Sequence, residues 1–193
     1  MSGETWLPAA ASFLAMWIVM MVAMMLPSLV PVLWRYRQAG LGRLTALVGV
    51  GYFVVWTVFG MAAYPLVVAL PSTAPIAVGA IVLLAGSLQL TAWKAYHLAC
   101  CREAPGRGRT LPADAGTAWR HGLRVGLHCS QCCVGLMAIL LVIGVMNVLA
   151  MAVIAAAITV ERLAPAGERV ARATGAVALG AGLFLIVRAA GLG

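Results

Sequence analysis

Apolar stretches recur along this chain, separated by short connections rich in arginine. Each is close to the roughly 20 residues that a helix needs to cross about 30 Å of hydrocarbon. Six are predicted as helical spans, at 8–34, 44–70, 75–99, 121–144, 147–164 and 173–190. Strands are a poor alternative, because an open sheet edge leaves backbone groups without partners in lipid. The predicted fold is therefore all-α, a polytopic transmembrane helix bundle of about six spans. Gly144-Val145-Met146-Asn147 must turn with almost no polar loop, and five spans result if the helix runs through it.

No connection is long enough to hold a second folded unit, so residues 1–193 are predicted to form a single transmembrane domain. The longest loop, 101–119, carries Pro105-Gly106, Gly108, Pro112 and Gly116 and is predicted to be an irregular cytoplasmic hairpin. The first span has Glu4 and no basic residue ahead of it, and reads as a retained span, not a cleaved signal. Small residues in the last two spans, among them Gly175, Gly180 and Gly182, read as close helix packing.

Composition agrees with the pattern. Hydrophobic residues make up 64% of the chain and charged ones 9%, with a mean hydropathy of +1.03. The net charge of +8 could suggest a nucleic-acid partner, but its placement argues against one. Arg35, Arg37 and Arg43 follow the first span; Arg102, Arg107, Arg109 and Arg120 follow the third; Arg162, Arg169 and Arg172 follow the fifth. Alternate connections are basic, which by the positive-inside rule puts both termini outside and the odd-numbered loops in the cytoplasm. The basic balance serves topology and contact with the lipid bilayer, with no nucleic acid implied.

Chemistry concentrates in His128-Cys129-Ser130-Gln131-Cys132-Cys133, inside the fourth span. Cys129 is about one helical turn from Cys132 and Cys133, and His128 from Cys132, so all four share a face. Ionisable groups at membrane depth are rare and usually paired. Soft thiolates select copper(I), while Cys and His sets also suit zinc. At the end of the third span Lys94, His97, Cys100, Cys101 and Arg102 approach from the same side, so His97 and Cys101 become candidate ligands. In the first span Met20 and Met24 continue the stripe begun by Met16, with Met25 beside them, at a depth matching the cysteines. Methionine stripes commonly fill cores, but thioethers also bind copper(I). Pro27 and Pro31, just beyond, are expected to kink that span. Glu161 near the cluster either orients a ligand or forms an interfacial ion pair, the second being the plainer reading; His121 reads as a solvated helix start, and Lys94 alone as a snorkelling helix-end lysine.

These residues together resemble DUF2182, a bacterial family of predicted metal-binding integral membrane proteins whose members are sometimes labelled copper chaperones. The similarity covers nearly the whole chain. It rests on Met20-Met21-Val22-Ala23-Met24-Met25-Leu26-Pro27-Ser28 with Pro31; on Gly51-Tyr52 with Trp56 and Phe59; and on His121-Gly122, Gly126, Cys129, Cys132-Cys133, Leu136-Met137, Met146-Asn147, Glu161 and Pro165. Lys94, Cys101 and Arg102 also fit, but His97 stands where that family usually has a cysteine, making the ligand set harder. The resemblance implies copper handling in a bacterial inner membrane.

The leading expectation is thus a multi-pass metal-binding protein handling copper(I), with zinc as competitor. Its ligands would come from Cys129, Cys132, Cys133, His128, His97, Cys101, Met20, Met24 and Met25. Its partner would be a membrane metalloenzyme or metallochaperone client, with self-association a further option. Two alternatives stay open: a thiol–disulfide redox protein using the Cys129/Cys132 pair, and a structural subunit whose cysteine face packs against partner helices. No phosphate-binding loop or Ser–His–Asp set is present, so no enzymatic activity is expected.

Overall fold

The computed structural model describes residues 6–69, 75–102, 114–145 and 147–191. Among them the chain forms seven helices and no strand: α1 Trp6–Gln38, α2 Gly42–Ala69, α3 Pro75–Gln89, α4 Ala92–Arg102, α5 Ala115–Ile143, α6 Val148–Leu163 and α7 Gly167–Ala189. The all-α class is as expected. The body of the predicted 101–119 hairpin, residues 103–113, lies outside the described residues, as does Met146.

Among the described residues the expected six spans are not found. Four helices are long and apolar enough to cross a membrane, lying within α1, α2, α5 and α7. A fifth is reached only if α3 and α4, which meet at a 65° bend, count as one span. That bend falls inside the predicted 75–99 stretch. The Thr91 hydroxyl accepts a hydrogen bond from the Lys94 backbone N–H at 3.3 Å, which is the N-cap bond that starts a new helix. The predicted 147–164 span is α6, of 16 residues. At 1.5 Å per residue it is about 24 Å long, short of the hydrocarbon thickness. Gly144 turns with φ 114°, the Asn147 side chain accepts from Ala150 N at 3.0 Å, and Glu161 and Arg162 sit buried in the last turn. The two helices on either side of Gly144 are therefore separate.

α5 begins six residues before the predicted 121. Asp114 Oδ1 accepts from the backbone N–H groups of Gly116 and Thr117 at 2.9 and 3.1 Å. A hydrogen bond from the Thr117 side chain, and after it these backbone bonds, hold the exposed Asp114 carboxyl below its usual pKa. α1 runs as one helix through Pro27 and Pro31. Beside them the Ser28 hydroxyl donates to the Met25 carbonyl at 2.9 Å.

The chain divides into two compact units. The first is Met1–Ala69 with Ala104–Ser130. In it α1 and α2 pack along each other after a short turn at Gly40, whose φ is 75°. Trp17, Met20, Met21, Met24, Met25, Leu29, Val32 and Tyr36 form the buried stripe of α1, at the three- and four-residue intervals of one helix face. The opening part of α5 lies tight against α2. A Cβ added to Gly51 would sit 2.9 Å from Trp119 O, and one added to Gly126 would sit 3.0 Å from Tyr52 O.

The second unit is Leu70–Glu103 with Gln131–Gly193. Its frame is α3 against α7, closed by facing glycines. A Cβ on Gly86 would lie 2.8 Å from Leu179 N, and one on Gly182 would lie 2.7 Å from Leu83 N. This is the small-residue packing expected for Gly175 and Gly182; Gly180 meets nothing within 4 Å.

Candidate metal centre

The second unit holds the densest chemistry. α4 starts at the Thr91 cap, which puts Lys94 in its first turn and His97 and Cys101 one and two turns further on. Lys94 is buried, not snorkelling. Its Nζ donates to Glu161 Oε2 at 2.7 Å, with the two side chains 3% and 1% exposed. The same ammonium donates to the Cys132 backbone carbonyl of α5 at 2.7 Å. Gln89 Nε2 donates to the other carboxylate oxygen of Glu161 at 2.8 Å. Helices α3, α4, α5 and α6 each contribute one group to this network. The expected ion pair of Glu161 therefore exists, but in the interior. Unpaired, either charge would be costly to bury; paired and hydrogen-bonded, both are tolerated.

The thiols lie beside this ammonium. Cys132 hydrogen-bonds with both Cys101 and Cys133, and Lys94 and Arg162 are close enough to act on it electrostatically. Cys132 and Cys133 are buried and Cys101 is half-buried. Both thiol contacts share Cys132. Among the described residues no three His, Cys, Asp or Glu side chains close into a group that could hold an ion. The arrangement is a thiol junction and not a finished cage. His97 is buried, with its ring 4.5 Å from that of Trp93 and 5.2 Å from that of Tyr96 on the same helix. A cavity of about 380 Å³ reaches Gln89 and Lys94 past Leu98, Glu168 and Arg172.

The remaining predicted ligands belong to the first unit. Cys129 is fully buried and shares a 3.0 Å hydrogen bond with the Tyr52 hydroxyl. His128 is half-buried on α5. Met20, Met24 and Met25 all lie on the buried face of α1. His121 is not the solvated helix start expected. It lies within α5, half-buried, and its Nδ1 is 2.7 Å from the Tyr36 hydroxyl, with the rings stacked.

Sequence reasoning missed Gln89, the Lys94–Glu161 pairing and the partners of Cys129 and His121. A signal existed for the pair. Glu161 and Lys94 are ionisable residues inside otherwise apolar helices, and such groups seek each other. Nothing in the spacing marked Gln89, Tyr52 or Tyr36 as their neighbours.

Thiols in pairwise contact are soft donors of the kind that bind copper. Membrane-length apolar helices and buried thiols beside a buried ion pair are compatible with metal handling. Comparison with protein families agrees: residues 14–185 match the PpoB2 family, described as copper chaperone. The chain belongs to that family. Comparisons with curated proteins and with solved structures gave no match.

Proposed function

We propose that this protein binds copper(I) within the membrane and passes it to a client, through a centre built on Cys132. The observation that carries this reading is the convergence of Cys101 and Cys133 on Cys132, beside the Lys94 ammonium. Membership in a copper chaperone family supports it. Copper is the cargo here: the chain binds and releases it without transforming it, so we assign no catalytic role. Cys101 and Cys132 form the primary two-thiolate pair, with Cys133 and His97 as further donors from the same unit. Cys129, His128, Met20, Met24 and Met25 form a second group of soft donors in the first unit, suited to holding copper more weakly.

We place residues 1–193 as one transmembrane domain in a bacterial inner membrane. With α3 and α4 counted as one span, Arg35 and Arg37 at the end of α1 and the Cys101 end of α4 lie on the cytoplasmic side, where thiols stay reduced. The exposed faces of the long helices, with Val19, Val58, Val177 and Phe184 among them, suit lipid contact. The client is a membrane metalloenzyme or a metallochaperone, and zinc is the competing ion.

The contact between Cys101 and Cys132, on different helices, also favours a second reading, in which the two thiols exchange with a disulfide. The test is elemental analysis of protein purified in mild detergent and loaded under reducing conditions, beside Cys101→Ser/Cys132→Ser/Cys133→Ser. Near-stoichiometric copper in the wild type, lost in the variant, is expected. No retained copper, together with a disulfide revealed by alkylation before and after reduction, would support the redox reading instead.

A further inference from the structure

The buried ion pair has a direction. Both carboxylate oxygens of Glu161 are engaged, one by Lys94 and the other by Gln89. The ammonium is the member of the pair that reaches α5, where it is bonded to the Cys132 carbonyl. The Cys132 side of the thiol junction therefore faces the Lys94 ammonium, to which Glu161 is bonded, with Arg162 acting on Cys132 as a second positive charge. We propose that this oriented Lys94–Glu161 pair selects the metal by its charge, favouring a monovalent ion over a divalent one.

The reasoning is one of charge balance, and it rests on the copper reading above. Two thiols that take up one copper(I) lose two protons to solvent and leave a complex of charge −1. The same two thiolates with zinc(II) make a neutral complex. In a low-dielectric interior a nearby ammonium stabilises the anion and adds nothing to the neutral species. It also repels an incoming dication more than a monocation. Glu161 holds the ammonium in place and cancels part of its field. Lys94 and Glu161 touch no metal in this account; they are positioning residues that set selectivity.

The test measures copper(I) and zinc(II) affinities by competitive titration for the wild type, Lys94→Gln, Glu161→Gln and the double variant. Lys94→Gln is expected to lower the copper-to-zinc affinity ratio on the order of tenfold. Glu161→Gln is expected to raise it, with the double variant between the two. A purely structural network would weaken both metals alike. Unchanged ratios, or ratios moving in the same direction in both single variants, would overturn the proposal while leaving copper binding intact. A wild type that holds no copper would overturn the functional reading and the selector with it. Should Lys94→Gln fail to fold, Glu161→Gln and the double variant, in which neither member of the pair is left buried without its partner, carry the comparison.

Discussion

The Lys94 ammonium lies 2.7 Å from the backbone carbonyl of Cys132, fastening α4 to α5 at the residue where the thiols meet. The bond joins fold and chemistry: the side chain that locks two helices together also places a charge beside a candidate ligand. Because Glu161 shares the ammonium, loss of either partner leaves the other charge buried.

Stability should follow from this. Lys94→Met is expected to destabilise the protein by about 3–5 kcal/mol, the usual cost of stranding a buried charge. Lys94→Met/Glu161→Met should recover most of that loss, since an apolar pair can replace a buried ion pair at little cost. Denaturant unfolding in detergent, read by circular dichroism, measures both. A double variant no more stable than the single one would show that the bond to Cys132, and not the charge pairing, carries the energy.

Tyr52 offers a separate test in the first unit. Tyr52→Phe removes the hydroxyl bonded to Cys129 and should cost about 1 kcal/mol, a typical net value for one buried hydrogen bond. Cys129 should also alkylate at a different rate, which mass spectrometry of labelled peptides would detect. If neither changes, the 3.0 Å contact contributes nothing to the placement of that thiol.

Much of this was legible in the sequence. The all-α class follows from hydropathy, because long apolar helices need only composition and length. Cys132 and Cys133 stand out as thiols inside an apolar helix, but their spacing groups them with Cys129, which falls in the first unit, and leaves Cys101 in a separate cluster approaching from the same side. The breaks were harder to read. Thr91 ends one helix and caps the next inside an apolar stretch, and one hydroxyl leaves no trace in a hydropathy average. Asp114 sets the true start of α5, where Arg120 and His121 had suggested the interface. Least legible were the partners. Lys94 and Glu161 are 67 residues apart, and only tertiary packing decides that they meet in the interior.

The most direct test of the central claim is copper K-edge X-ray absorption on the copper(I)-loaded protein, beside Cys132→Ser. A low-coordinate shell dominated by sulfur is expected in the wild type, lost or rebuilt with fewer sulfurs when Cys132 is replaced. A shell of nitrogen and oxygen, or a sulfur shell indifferent to Cys132→Ser, would contradict it.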